Sequence, residues 1–249
     1  MKYIRGIDVS GHQGDIDWAK VAASGLVQFA YIKSSERHSF KAKSYPPNRA
    51  GAKANGIPSG AYHFAQLGTD PVANAKNFSD AIGDYGTGDL YPCLDVEQMG
   101  TPKGMPRSEQ QAWMLTFASE FQRLRPDCFP LVHYGTASTA NGNPDILKAY
   151  PFMWAAWWPT PNNPEPPVHR NFPQKNYGTW TIWQYSDRGK IPGIEGGVDL
   201  DVMREEDLAK ITIGGSSYVK GAPTIKQAGA LPIVAIAMLA GVFLARRKG

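Results

Sequence analysis

Asp95 and Glu97 close a short apolar run, Tyr91-Pro92-Cys93-Leu94-Asp95-Val96-Glu97. Read as a buried strand, the run places residues two apart on one face. The two acids then project together, and Leu94 and Val96 face the opposite way. Two carboxyl groups too close to be ionised together are the basic equipment for breaking a glycosidic bond. One gives a proton to the leaving oxygen and the other steadies positive charge at the sugar. The spacing alone raises that chemistry without assigning it.

Holding the pair in place needs strands that end on a common rim. Apolar, β-prone runs recur at 3–9, 26–33, 59–65, 90–97, 131–134, 152–158, 179–185 and 198–202. Between the early runs lie helical segments. Asp17 predicts an N-cap for a helix over 18–24 with Gly25 as its stop. Asp70-Pro71 opens a second helix to about residue 82. Ser108, with Gln111 completing a capping box, opens a longer one to about residue 125. The later runs are joined by loops rich in Pro, Asn and Gly. Alternating strands and helices imply parallel βαβ units, and eight strands are the number that closes a barrel. The expectation is an α/β fold, a (β/α) barrel that loses helices in its second half. An open doubly wound sheet is the alternative, weakened because no Gly-rich dinucleotide fingerprint follows any strand.

In such barrels chemistry gathers where the strands end. Asp8 ends the first run, Asp95 and Glu97 end the fourth, and Asp199 and Asp201 lie in the last. Barrel closure makes the first and last strands neighbours, which brings Asp199 to Asp8. Acids are rarely buried without a partner or a task, and four on one rim are hard to explain as packing. Asp201 reads as structural or exposed.

Composition narrows the classes. The 249 residues are 42% apolar and 19% charged, ordinary for a globular protein. A net charge of +4 is mild and scattered, so nucleic acid is not an expected partner. The five histidines are dispersed without ligand spacing, so neither a metal nor another cofactor is expected. Cys93 reads as an inert core residue, and the two cysteines imply no disulfide framework. The start, Met1-Lys2-Tyr3-Ile4-Arg5-Gly6, shows no apolar region of a signal peptide. Residues 228–245 carry no charge and are followed by Arg246-Arg247-Lys248. That length and basic stop predict a single transmembrane helix. The domain expectation is a catalytic barrel over 1–213, a flexible linker over 214–227, the helix over 228–245 and a basic tail over 246–249. A lipid bilayer becomes an expected partner, either a host cell membrane or the internal membrane of a virion, with the orientation open.

Gly6-Ile7-Asp8-Val9-Ser10, then Gln13-Gly14 and Ile16-Asp17-Trp18, resemble the opening motif of the family 25 glycoside hydrolases, the Chalaropsis-type N-acetylmuramidases. Further matches follow in order: FAYIKSSE at 29–36, GAYHFA at 60–65, LDVEQ at 94–98, residues 130–135, WAAWW at 154–158, WQYS at 183–186 and GGVDLD at 196–201. The resemblance implies a flattened barrel of eight strands with fewer than eight helices. It implies a retaining lysozyme that cuts the β-1,4 bond between N-acetylmuramic acid and N-acetylglucosamine in bacterial peptidoglycan. By it, Glu97 is the general acid/base and Asp95 the steadying carboxylate, ionised while Glu97 holds the proton, with the substrate's N-acetyl group as nucleophile. Asp8 and Asp199 then orient and tune the pair. Tyr62, Tyr134 and Trp157 are the candidates for sugar contact, and Gln184 for a substrate hydrogen bond. His63 and His133 face the other way along their strands and read as structural. The implied setting is a bacteriophage endolysin or a virion-associated lysin, with other virion membrane proteins as further partners. The competing readings are a non-catalytic peptidoglycan-binding module and a membrane-bound structural protein of a virion.

Overall fold

The computed structural model describes residues 2–135, 143–158, 166 and 180–215. The strands are β1 (Tyr3–Val9), β2 (Phe29–Glu36), β3 (Phe40–Lys41), β4 (Ser59–Phe64), β5 (Cys93–Val96), β6 (Val132–Gly135), β7 (Phe152–Ala156), β8 (Ile182–Gly189) and β9 (Val198–Arg204). The helices are α1 (Trp18–Ala23), α2 (Tyr45–Ala54), α3 (Pro71–Ile82), α4 (Arg107–Leu124), α5 (Pro144–Ala149) and α6 (Glu205–Lys210). Strand order runs β1-β9-β8-β7-β6-β5-β4-β2-β3, and β1 also pairs with β2. Eight strands therefore close a ring, with β3 hung on β2 as a two-residue edge. The eight-stranded barrel with few helices is the one that the sequence leads to.

The ring is not all parallel. Pairings from β1 through β2 and β4 to β8 are parallel. β9 runs antiparallel to both β8 and β1. The βαβ pattern predicts parallel units only. The reversal follows from the short β8–β9 connection, which has no helix to carry the chain back across the barrel.

Period-two alternation splits each strand between two apolar layers. Ile7, Ala30, Ile32, Ala61, Leu94 and Val96 join the layer packed under the helices. Phe29, Tyr31, Cys93, Val132, Tyr134 and Trp154 join a second cluster that fills the lumen. Two glycines make room for it. Gly6 is the register partner of Phe29, and Gly60 that of Tyr31. A Cβ on either would stand 2.3 Å from the partner's ring. Trp154 packs 4.7 Å from Tyr31 and 4.9 Å from Tyr134, centroid to centroid.

Local signals explain most helix starts. Asp17 caps α1, accepting from the Lys20 amide at 3.1 Å. Asp70 caps α3, accepting from Val72 and Ala73, with Pro71 in the first turn. The predicted Ser108 cap is corrected: α4 begins at Arg107 after Pro106 and has no side-chain cap bond. Helix α2, absent from the sequence reading, carries Pro46 and Pro47 in its first turn, where a missing amide costs nothing. Phe78 of α3 lies 5.1 Å from Phe121 of α4 and 5.3 Å from His63 of the barrel wall.

The membrane-spanning helix and the single-pass membrane location do not stand. Among the described residues no helix is long and apolar enough to cross a membrane. The longest, α4, has 18 residues and includes Arg107, Glu109, Glu120 and Arg123. The apolar run 228–245, most of the proposed linker and the basic tail lie outside the described residues.

Replacing Gly60 with Ala should destabilise the fold by about 1–3 kcal/mol, because the added methyl overpacks the lumen against Tyr31. Denaturant unfolding of the variant checks this; an unchanged midpoint would mean that the lumen has slack.

Candidate active site

The reversed strand positions the acids. Asp8 stands near the end of β1, and the register sets it opposite Asp199 near the start of β9. Were β9 parallel, Asp199 would lie at the far rim. The same register puts Asp201 opposite Gly6, one step deeper in the lumen. Asp95 lies in β5 between Phe64 of β4 and Tyr134 of β6. Glu97 follows β5 but keeps an extended backbone, with φ −110° and ψ 164°. Its carbonyl accepts from the Gly100 amide at 3.1 Å and from the Thr101 hydroxyl at 2.8 Å. The alternation therefore carries through residue 97, and both acids face a cavity of about 560 Å³. A Cβ at Gly100 would meet the Ala65 carbonyl at 2.1 Å, so only glycine lets this supporting turn sit against β4.

Asp8, Tyr62, Asp95, Glu97, Tyr134, Gln184 and Asp199 all line that cavity. Trp157 does not. It lies beyond the end of β7 and stacks on Trp183 at 5.6 Å and 11°. Its neighbour Trp158 lines the cleft and is 44% exposed. Gln184 is buried and largely committed to the protein. Its Oε1 accepts from Tyr134 Oη at 3.0 Å and Trp158 Nε1 at 3.2 Å, and its Nε2 donates to Asp8 Oδ2 at 2.8 Å. It acts as a hub that fixes one acid and two aromatic rings. His63 is held by Ser35 at 2.8 Å and Asn74 at 3.1 Å. His133 packs edge-on to Tyr150. Burial pushes both histidines down to about 4, so both are neutral structural groups.

The cleft crowds carboxyls into a low-dielectric space, which penalises their charged forms. Burial raises Asp95 well above the ordinary range, and the charge of Glu97 adds to it. Burial also raises Glu97, and the Lys33 ammonium pulls both down. The stronger push falls on Asp95, the more deeply buried of the two. Burial, then Asp199 and Asp201, raise Asp8. Asp199 is pushed up to about 6 by burial and by Asp187. Asp8 and Asp199 are register partners, and their charges with that of Asp201 oppose ionisation of all three. Asp201 is fully buried and accepts from Trp154 Nε1 at 2.8 Å, which makes it structural.

Sequence reasoning missed Lys33, Glu36, Arg37 and Met99, which line the cavity too. Lys33 and Glu36 are three apart, a spacing that regular alternation sends to opposite faces. A register shift between Lys33 and Ser35 turns both inward, and their charges meet at 2.8 Å. Among the described residues no cluster of His, Cys, Asp and Glu is placed to hold a metal.

Asp199 holds its proton more tightly folded than unfolded, so its contribution to stability is lost as pH rises from about 3.8 through about 6. Asp199→Asn should flatten the fall in melting temperature over that window; an identical slope in parent and variant would refute the assignment.

Comparison with known proteins agrees with this geometry. The sequence model described as Glycosyl hydrolases family 25 matches residues 7–194. Lysozyme M1 of Streptomyces globisporus is 33% identical over 206 residues, covering 79% of this chain and 66% of that protein. The chain thus spans just under two thirds of that relative's length. An N,O-diacetylmuramidase of Arthroderma benhamiae is 26% identical, covering 79% of this chain and 84% of its own. The crystal structure of a lysozyme from Streptomyces coelicolor superposes with a TM-score of 0.69 at 28% identity, covering 86% of this chain and 98% of its own. The chain belongs to the glycosyl hydrolases of family 25.

Proposed function

We propose that the chain is a lysozyme, an N-acetylmuramidase that hydrolyses the β-1,4 bond between N-acetylmuramic acid and N-acetylglucosamine in bacterial peptidoglycan. The observation that carries this reading is the pair Asp95 and Glu97, side by side in one open cleft with both carboxyls pushed up. Lysozyme M1 and the N,O-diacetylmuramidase support the substrate class by likeness.

Glu97 is the general acid. It is the less buried of the two and lies at the mouth of the cleft, where its raised carboxyl delivers a proton to the leaving glucosamine oxygen. As that bond breaks, the carbonyl oxygen of the muramic acid N-acetyl group bonds to C1. Asp95 accepts the amide N–H and steadies the positive charge of the cyclic intermediate. Glu97, now ionised, takes a proton from water, whose oxygen attacks C1 and reopens the ring with retention. Asp8 and Asp199, opposite each other on β1 and β9, orient and tune the pair. Tyr62, Tyr134 and the exposed faces of Trp158 and Met99 supply apolar surface for sugar rings. A non-catalytic binding module would need no buried acid pair with raised carboxyls, and this cleft has one.

The finer setting in the same proposal is a bacteriophage lysin, used as an endolysin or carried in a virion with other virion proteins. Its support is the sequence resemblance. The likeness to the endolysin ply40 catalytic domain, TM-score 0.67 at 20% identity, is one of fold.

Glu97→Gln should cut the release of reducing sugar from purified walls by about 10²-fold or more. Retained activity would sink the assignment. Mass analysis of the digest should find muramic acid at the new reducing ends; glucosamine there would make the enzyme a glucosaminidase.

A further inference from the structure

Arg37 is the one non-glycine residue with a positive φ, 53°, among the described residues. Side chains rarely occupy that region, and where they do the surrounding structure must hold them. Here it does. The Arg37 amide donates to the Phe64 carbonyl at 3.2 Å. The buried Asn77 of α3 donates through one amide nitrogen to the carbonyls of Glu36, Arg37 and Phe40, at 3.3, 3.0 and 3.0 Å. The turn is clamped so that a long cation, in place of a relaxed glycine, stands at the wall of the catalytic cleft.

Its charge is not used up there. Glu36 serves two cations: Lys33 at 2.8 Å and Arg37 at 3.2 Å through Nε. One carboxylate against two cations leaves this corner with a surplus positive charge. The Arg37 side chain is 56% exposed, and its terminal nitrogens have no hydrogen-bond partner among the described residues. An ion pair this exposed is weak and exchanges readily. Lys33 pulls Asp95 and Glu97 down, whereas Arg37 lies past the end of β2 at Glu36. Arg37 thus borders the cleft and presents a guanidinium edge of the shape that takes a carboxylate in two parallel hydrogen bonds.

We propose that Arg37 is a specificity residue that binds a carboxylate carried by the muramic acid unit. This rests on the muramidase reading. Muramic acid differs from glucosamine by a lactyl ether, and that group ends either in a free carboxylate or in a peptide with carboxylates of its own. Both sources offer the same chemistry to a guanidinium.

The test compares the parent with Arg37→Gly, which removes the charge and relaxes the backbone, so the fold should melt no lower than the parent. Three substrates are used: peptide-bearing glycan, glycan stripped by an amidase to leave free lactyl carboxylates, and stripped glycan with those carboxylates converted to neutral amides. Arg37→Gly should raise KM about 10-fold on a carboxylate-bearing glycan, with kcat unchanged, and leave the neutral glycan unaffected. An effect confined to the peptide-bearing glycan assigns the peptide as the source; one confined to the stripped glycan assigns the lactyl group. Arg37→Lys should recover part of the loss, keeping charge without the fork. An equal loss on all three glycans, or none on any, overturns the proposal. Failure of the parent to cut any of them would instead refute the muramidase reading.

Discussion

The structure turns on one electrostatic constraint: several carboxyl groups are packed into the mouth of an apolar lumen, where they cannot all be charged. Trp154 plugs that lumen and donates to Asp201, whose charge together with that of Asp199 raises Asp8. Asp8 in turn stands opposite Asp199 and accepts from Gln184. Each link fixes the next, so the rings below and the acids above form one connected unit. The cost of holding these groups uncharged falls on folding, as expected where an active site is built for proton transfer rather than for stability. Lys33 offsets part of it for Asp95 and Glu97 and keeps the pair within reach of ionisation.

The acid pair was legible because period-two spacing survives in β5 and for one residue beyond it. The nearness of Asp8 and Asp199 was legible from barrel closure alone. The direction of β9 was not, because apolar alternation is the same for a strand run either way. What was missed lies where regular geometry stops. The shift in β2 turns Lys33 and Glu36 to the same side, and no count of residues reveals an extra one. Trp157 is the exception: regular alternation from Trp154, which faces the lumen, already sends it to the outer layer with Met153 and Ala155. The same alternation gives the cleft to Trp158. Pro46 and Pro47 hid α2 because proline reads as a breaker unless the first turn is recognised.

The lumen and the cleft impose opposite demands on the same strands. Below, Gly6 and Gly60 give up their own side chains so that Phe29 and Tyr31 can fill the space. Above, the same alternation delivers Asp8 and Tyr62 into solvent-accessible space, two residues further along β1 and β4. A single register thus serves a packed floor and a polar mouth, and slipping either strand by one residue would destroy both.

The reversal of β9 also decides at which end of the barrel the described chain finishes. After β9 the chain passes through α6, and Thr212 bridges to Leu90, just ahead of β5. Leu90 belongs to the end of the barrel where the parallel strands begin, so the chain leaves at Gly215 behind the catalytic mouth. A parallel last strand would have brought it out beside the acids. The described chain therefore ends at the back of the barrel, and the acids open on the opposite side.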